Sequence, residues 1–184
     1  QQKNNQSDKA RSNYERAIKI NPEHQRSHSN LAIILNEQGL TKSALESSNM
    51  ALKLNPNCAD TYNNLGIIYS DLSKPIVSIN KYKKALELDP THTDALFNMS
   101  LQMIKIENFS DGWLNYEDRF QSITCTSKQL VTRKPRFSAE KKAGRVLLWS
   151  EQGLGDHIMF SSILNDIYKI SEKLIVQIDA RLIS

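Results

Sequence analysis

Residues 59–92 read ADTYNNLGIIYSDLSKPIVSINKYKKALELDPTH and indicate the fold class of the whole chain. Two helical segments are predicted here, separated by a short polar break. A close approach of the first helix to its partner is expected at Gly66, because a glycine leaves room for the side chain that faces it. Ser73 is expected to cap the second helix, with Pro75 in its first turn and Pro90 ending it. The block therefore predicts a pair of helices.

The same pattern recurs at a constant spacing on both sides of this block. Three prolines, Pro22, Pro56 and Pro90, keep this spacing, and each follows Asn or Asp. A period that holds over four copies predicts a solenoid in which each unit buries its apolar faces on its neighbours. The register divides residues 1–120 into a half repeat 1–24, repeats 25–58 and 59–92, and a last repeat 93–120 that includes a capping helix.

This register resembles the tetratricopeptide repeat (TPR), a pair of antiparallel helices with characteristic residues along about 34 positions. The resemblance implies a mainly α fold, an α-solenoid of antiparallel helix pairs. It also implies a concave face that is lined by the first helix of each pair and binds a protein or peptide. In residues 59–92 the matching residues at positions 4, 7, 8, 11, 24, 27 and 32 are Tyr62, Leu65, Gly66, Tyr69, Tyr82, Ala85 and Pro90.

An asparagine occupies position 6 of each complete first helix: Asn30, Asn64 and Asn98. This row resembles the asparagine ladder of O-linked N-acetylglucosamine transferases, in which the amides hold an extended peptide backbone. One carboxamide offers both donors and an acceptor to a peptide group. The resemblance implies peptide binding on the concave face; the alternative is that these amides satisfy only local polar groups.

The composition indicates a globular, mostly helical protein with one large domain or two small ones. Of the 184 residues, 39% are hydrophobic, and 6 are Gly and 5 Pro. Two cysteines, Cys58 and Cys125, predict a reducing, cytoplasmic location without a disulfide framework. The chain has no long run of apolar residues, and none of its four histidines is interpreted as a metal ligand. We therefore expect no membrane span and no metal.

The net charge of +4 is concentrated in one short segment. Residues 1–120 carry 14 basic and 14 acidic side chains, whereas residues 121–145 carry 7 Lys or Arg against Glu140 alone. We expect residues 121–144 to form a mostly extended, solvated basic linker, with contact to phosphate or an acidic partner as the alternative. No nucleic-acid partner is predicted, because the excess charge is confined to this linker.

The last repeat differs from the others in its second helix. Trp113, Tyr116 and Phe120 form an aromatic stripe on one helix face, and Arg119 replaces the alanine of the earlier repeats. This stretch resembles the G-W-x-x-Y-E-x-R segment that ends the solenoid of many bacterial fusions between TPRs and glycosyltransferases. The resemblance implies a helix that caps the solenoid and docks against another part of the protein.

A strand, a turn, a helix and a second strand are predicted after the linker. Residues 145–149, RVLLW, are a short apolar run typical of a strand buried on both faces, and a second run follows at 174–178. Between them, a glycine-bearing turn at 150–156 precedes a helical pattern over 157–170. This βαβ order predicts the truncated start of a Rossmann-like domain over residues 145–184.

Residues 146–164, VLLWSEQGLGDHIMFSSIL, resemble the L-W-x-E-Q-G-L-G-D-x-I-x-F segment of bacterial glycosyltransferase-like proteins, which are similar to heptosyltransferases. The resemblance implies a nucleotide-sugar donor. It makes Asp156 the candidate general base, with Gly153 and Gly155 allowing the backbone to approach the donor phosphates. Because a second Rossmann domain binds the donor in that family, sugar transfer is expected only in a longer parent. This chain alone is expected to lack both activity and a cofactor.

Two other functions stay open on the sequence. The chain is a non-catalytic TPR interaction module if Asp156 serves only to cap a helix, where aspartate is favoured. A dinucleotide-binding domain is the other alternative, since Gly153 and Gly155 fit the start of G-x-G-x-x-G and Asp179 ends the second strand. Ile158, however, replaces the third glycine. The chain also begins partway through a repeat, so we expect it to be a piece of a longer protein.

Overall fold

A computed structural model describes residues 2–122, 131–135, 137, 143–149 and 161–177. The chain divides into two compact units, residues 1–125 and 126–184. Helices make up the described part of the first unit, which ends in a 3₁₀ turn at Glu117–Gln121. The α-helices of this unit are α1 Gln2–Ile20, α2 Gln25–Glu37, α3 Thr41–Leu54, α4 Ala59–Asp71, α5 Pro75–Leu88, α6 Thr93–Lys105 and α7 Phe109–Tyr116.

These bounds confirm the mainly helical solenoid that the repeat period predicts. The first helices of the complete repeats, α2, α4 and α6, are 13 residues long, and each begins at the first position of its repeat. The second helices α3 and α5 are 14 residues long. The first helices pack on each other, α2 on α4 and α4 on α6, while α3 and α5 each contact the first helices on either side of them.

The apolar core lies between repeats as much as within them. One cluster joins Leu31, Leu35 and Ala44 of one repeat to Ile68 of the next. Full burial of a Leu or Ile side chain contributes about 1.5–3 kcal/mol, so neighbouring repeats stabilise each other. A second cluster joins α5 to α6 through Ile79, Tyr82, Ala85, Ala95, Met99 and Met103.

The close approach of α4 and α5 depends on Gly66, as the sequence predicts. A Cβ atom at Gly66 would overlap the ring of Tyr82, whose side chain is only 1% exposed. The hydroxyl of Ser78 donates a 2.7 Å hydrogen bond to the Gly66 carbonyl oxygen across the same contact. The two helices are therefore held together by the Tyr82 ring, which packs on the backbone of Gly66, and by one buried hydrogen bond.

The predicted capping role of Ser73 is wrong. Lys74 is the residue at the cap position of α5, and no side chain there accepts a capping hydrogen bond. Ser73 has a left-handed backbone (φ 56°) and lies in the turn that closes α4. There the Lys74 N–H donates to the Tyr69 carbonyl oxygen at 2.9 Å, a Schellman-type C-terminal bond. The prediction that Pro75 lies in the first turn of α5 is confirmed.

The same left-handed turn closes the first helix of all three repeats. Gly39 (φ 77°) and Glu107 (φ 64°) adopt it at the equivalent positions of the preceding and following repeats. In each turn the following N–H bonds to a carbonyl five positions back, as in Leu40 to Leu35 and Asn108 to Met103. The repeat therefore preserves a backbone conformation at a position where the residue type changes.

In the second unit, the described residues contain a parallel two-stranded sheet. β1 (Ala143–Leu148) pairs with β2 (Ser171–Val176), and Val146 lies opposite Leu174. A 3₁₀ turn at Ser161–Ile163 and helix α8 (Leu164–Lys169) precede β2. Strand, helix and parallel strand thus occur in the predicted order, while their assignment to a Rossmann-like domain stays a prediction.

The prediction that the first strand is buried on both faces is wrong for β1. Val146 is buried, but Leu147, which points to the opposite face, is 50% exposed. A sheet of two strands covers one face poorly unless another layer packs on it, which explains the exposure. Most of the predicted linker, residues 121–144, lies outside the described residues; Gln121 ends the 3₁₀ turn and Ala143 begins β1.

Substitution of Gly66 by alanine should lower the free energy of unfolding by about 1–3 kcal/mol, because the added methyl group overpacks the Tyr82 ring. This cost exceeds the roughly 1 kcal/mol that alanine gains over glycine in helix propensity. Urea unfolding followed by circular dichroism measures the change. Lys83→Ala, at an exposed site beside Tyr82, should shift stability by less than about 0.5 kcal/mol. Equal stability of Gly66→Ala and wild type would contradict the close-approach argument.

Stability should also fall at alkaline pH because of Tyr82. Burial raises the pKa of Tyr82 from 10.0 to about 12, partly opposed by its interaction with the Ser78 side chain. Because the folded-state pKa is raised, the stabilisation that comes from burying the neutral Tyr82 hydroxyl is complete below about pH 10. It is lost as pH rises toward about 12, which lowers the free energy of unfolding by about 2–3 kcal/mol. Urea unfolding between about pH 9 and 12 should show a smaller loss in Tyr82→Phe than in wild type. Identical pH profiles would rule the effect out.

Candidate peptide-binding surface

The three asparagines at position 6 lie in the middle of the three first helices. Asn30 is on α2, Asn64 on α4 and Asn98 on α6, and all three side chains are half-buried. Because the helices have equal lengths and begin at the same position of the repeat, each asparagine has the same place in its helix. The three amides therefore form one row across a layer of adjacent helices.

Each of these amides donates through Nδ2 to the preceding repeat. Asn30 donates to the Tyr14 hydroxyl at 3.3 Å. Asn64 donates to Ser29, at 3.1 Å to Oγ and 3.3 Å to the carbonyl oxygen. Asn98 donates to Asn63 Oδ1 at 3.2 Å. The amide nitrogens thus tie neighbouring repeats together, which is the local role that the sequence left open as an alternative.

The carbonyl oxygens of the same amides are free for another donor. Within residues 6–122, no hydrogen bond reaches Oδ1 of Asn30, Asn64 or Asn98. None of these oxygens is sealed from solvent either. A carboxamide that donates on one side and leaves its acceptor open is held in a fixed orientation while it presents an oxygen to a peptide N–H.

A buried polar cluster between α2 and α4 holds the central amide in place. Gln25 Nε2 donates to the Thr61 hydroxyl at 2.9 Å, and that hydroxyl donates to Ser29 Oγ at 3.0 Å. Thr61 is fully buried and Ser29 nearly so. Sequence reasoning missed this cluster, although hydroxyl residues at positions 3 and 5 of neighbouring repeats were a visible signal.

An aliphatic row runs beside the asparagine row. Ile33, Ile67 and Leu101 each stand three positions after an asparagine, so both side chains lie on the same helix face. The two isoleucines are half-buried, and Leu101 is 39% exposed. Sequence reasoning missed this row as well, although it recurs once per repeat, a signal of the same kind as that of the asparagines.

His92 links the turn before α6 to the beginning of α4. Its Nδ1 accepts a 3.3 Å hydrogen bond from the Ala95 N–H and so caps α6. Its Nε2 lies 3.2 Å from Asp60 Oδ1 but does not meet the geometry of a hydrogen bond. Among the described residues, no group of three or more His, Cys, Asp or Glu side chains is placed to hold a metal ion.

The aromatic side chains of α7 and the following 3₁₀ turn are organised around Tyr116; the predicted stripe is not on one helix, since α7 ends at Tyr116 and Phe120 lies in the turn. Trp113 meets its ring edge-on at 5.5 Å, and Phe97 of α6 lies 5.7 Å from it. The buried guanidinium of Arg119 stacks 4.5 Å from the Tyr116 ring and 4.0 Å from that of Phe120. The arginine that replaces the alanine of earlier repeats is thus buried with its planar group between two aromatic rings.

The residues predicted from the glycosyltransferase resemblance, Gly153, Gly155 and Asp156, lie outside the described residues. The structure therefore does not test a phosphate-binding turn or a catalytic base. None of the described helices combines the length and apolar character that crossing a bilayer requires.

Comparison with known proteins identifies the repeat class. The family model of the tetratricopeptide repeat matches residues 1–24 and 59–92. Taken with the repeat register and the helix bounds, this match shows that the chain contains tetratricopeptide repeats, as the sequence predicts.

Individual relatives share this architecture over part of their length. The chain resembles the crystal structure of MamA with 20% identity and a TM-score of 0.54, over 65% of this chain and 70% of MamA. This likeness concerns the fold alone. A chain in the structure of Naa15/Naa10 bound to HypK-THB is 25% identical with a TM-score of 0.51, over 59% of this chain and 16% of that one.

A curated relative is Protein FlbA of Caulobacter vibrioides. It is 32% identical over 66 residues, which are 35% of this chain and 11% of FlbA. The chain thus spans only a small part of FlbA and of the chain from the Naa15/Naa10 structure.

Proposed function

We propose that this chain is a protein-interaction scaffold that binds an extended peptide segment along the asparagine row of α2, α4 and α6. The observation that carries the proposal is the set of three open Oδ1 acceptors on amides whose nitrogens are already bonded. Such acceptors suit peptide N–H groups, which occur regularly along an extended backbone and do not depend on its sequence. We expect the scaffold to act in the cytoplasm, since its cysteine content fits a reducing compartment.

The packing supports the inner side of the solenoid as the binding face. First helices contact each other directly, whereas α3 and α5 sit between successive first helices. A layer whose helices touch lies at the smaller radius of a curved stack, so we assign α2, α4 and α6 to the concave side. Packed helices lie about 8–10 Å apart and an extended chain rises about 3.3 Å per residue, so each asparagine would meet roughly every third peptide residue.

The comparisons agree with a binding role for this repeat class. The Naa15/Naa10 structure contains HypK-THB as a bound component, and one of its chains shares the helical-repeat fold of this protein. We carry over from it only the general role, a helical-repeat surface that takes part in a protein assembly.

The double variant Asn64→Ala, Asn98→Ala should weaken peptide binding about tenfold, because two hydrogen bonds of about 0.5–1.5 kcal/mol each are lost. Peptides are first selected on the wild-type protein from a phage-displayed library of random dodecapeptides. Fluorescence anisotropy then measures their affinity for each variant. The matched control is the double variant Asn49→Ala, Asn80→Ala, which changes exposed asparagines of α3 and α5. It should bind the peptides as tightly as wild type does.

A second control separates binding from stability. Ser29→Ala removes the hydroxyl that accepts from Asn64 and Thr61, but it leaves the Asn64 amide and its bond to the Ser29 carbonyl oxygen in place. It should lower the melting temperature and weaken peptide binding less than the double asparagine variant does. If no peptide is selected, or the double asparagine variant binds as wild type, the amide row is structural only.

We also propose that this chain belongs to a longer parent with glycosyltransferase activity. Residues 151–156, EQGLGD, favour this function, together with the parallel pairing of β1 and β2 that frames them in the chain. In the parent, Asp156 would take a proton from the acceptor hydroxyl, and the donor would be a nucleotide sugar. The alternatives remain a non-catalytic interaction module and, with less support, a dinucleotide-binding domain.

Sequencing the coding DNA beyond both ends of this stretch tests that proposal first. An open frame of roughly one or two further domains after Ser184 is expected. In that parent, Asp156→Asn should abolish sugar transfer while the far-ultraviolet circular dichroism stays unchanged. Asp166→Asn, at an exposed site on α8, should leave transfer intact. A stop codon after Ser184, or full transfer by Asp156→Asn, would count against the proposal.

A further inference from the structure

Charge is segregated between the two helices of the central repeat. The first helix, α4, carries Asp60 and Asp71 and no Lys or Arg. The second helix, α5, carries three lysines, Lys81, Lys83 and Lys84, against one glutamate. The face assigned above to peptide binding is therefore acidic at its centre, while the opposite side of the same repeat is basic.

The two carboxylates lie at opposite ends of α4 and are exposed. Asp60 and Asp71 stand three turns apart, which is about 16 Å along the helix axis. Asp60 is 77% exposed and lies near His92 of the following turn. Asp71 accepts a 2.5 Å hydrogen bond from Asn36 Nδ2 of the preceding repeat. Asp71 is thus held by the preceding first helix, whereas Asp60 lies near His92 without a hydrogen bond to it, and both carboxylates face solvent.

The flanking first helices do not cancel this charge. Each carries one basic and one acidic residue near its ends, so each is neutral in sum. The charged groups along the two edges of the layer are Arg26, Asp60 and Asp94 on one side and Glu37, Asp71 and Lys105 on the other.

The rows on these helices match the two sides of an extended chain. A peptide that lies on the asparagine row has the aliphatic row of Ile33, Ile67 and Leu101 on one side and the edge with Asp60 on the other. Alternate side chains of an extended chain point to opposite sides. A lysine or arginine can also lay its stem over aliphatic side chains while its charge reaches a carboxylate beyond them, such as that of Asp71.

We propose that the inner face recognises an extended segment in which aliphatic side chains alternate with lysine or arginine. This inference rests on the proposed function and names the chemistry of its ligand. The amide row binds the backbone, the aliphatic row takes Val, Ile or Leu side chains, and Asp60 and Asp71 select cationic residues at the central repeat.

Three fluorescein-labelled peptides test this preference by anisotropy at low salt. The basic probe is Thr-Val-Lys-Val-Lys-Val-Thr, the acidic probe replaces both lysines by Glu, and the polar probe replaces the valines by Ser. The basic probe should bind about tenfold more tightly than the acidic one, because its lysines on the Asp60 side gain an attraction where the glutamates of the acidic probe would be repelled. The polar probe should bind more weakly than the basic probe.

The double variant Asp60→Asn, Asp71→Asn should reduce the ratio of basic to acidic affinity to within about threefold. Each asparagine keeps the size of the side chain and an acceptor oxygen, so the contact with Asn36 is retained. The control is Glu46→Gln, Glu87→Gln on α3 and α5, which removes two charges from the outer helices and should leave the ratio unchanged.

The outcomes distinguish failure of this inference from failure of the proposed function. If all three probes bind alike and binding is lost in Asn64→Ala, Asn98→Ala, the peptide-binding function stands and the preference is overturned. Tighter binding of the acidic probe, or an unchanged ratio in the aspartate variant, also overturns it. Binding by none of the three probes overturns it too, and the library selection then decides whether the face binds peptides at all.

Discussion

The contact of the Tyr82 ring with the bare backbone of Gly66 sets the distance between the two helices of the central repeat. The ring also belongs to the apolar cluster that joins α5 to α6, so one side chain closes a repeat and attaches it to the next. Because packed interiors tolerate little added volume, this distance is fixed within narrow limits. Because the same ring packs in the cluster between α5 and α6, it helps to position α4 relative to α6, and with them Asn64 and Asn98.

Apolar and polar contacts both join neighbouring repeats. The second helices bury aliphatic and aromatic side chains in a cluster with the next repeat, which includes Ile79 and Met99. The first helices share an apolar cluster that includes Leu31 and Ile68, and they also meet through hydrogen bonds, including that of Thr61 with Ser29. Apolar burial supplies most of the stability, whereas a hydrogen bond that replaces one to water contributes only about 0.5–1.5 kcal/mol. The hydrogen bonds between first helices therefore orient side chains more than they stabilise the fold.

The sequence predicts those parts of the fold that depend on local pattern. The helix pairs and the close approach at Gly66 follow from residue types that recur from repeat to repeat, and the structure confirms them. The turn at Ser73 could not be predicted, because its left-handed backbone is imposed by the end of α4 and is adopted equally by Gly39 and Glu107. The bonds of Asn64 and Asn98 could not be predicted either, since each joins residues 35 positions apart across an interface.

The polar cluster beneath the asparagine row fixes the orientation of the amide side chains, which their own helices do not fix. An isolated asparagine on a helix surface rotates about its side-chain bonds, and ordering it at a ligand costs conformational entropy. Bonds from Asn64 Nδ2 to Ser29 remove that freedom before any ligand arrives. Ser29 is itself fixed by Thr61, a fully buried residue that no ligand on the surface contacts. Two hydroxyl residues beneath the row thus preorganise the acceptor above it, and preorganisation lowers the cost of binding.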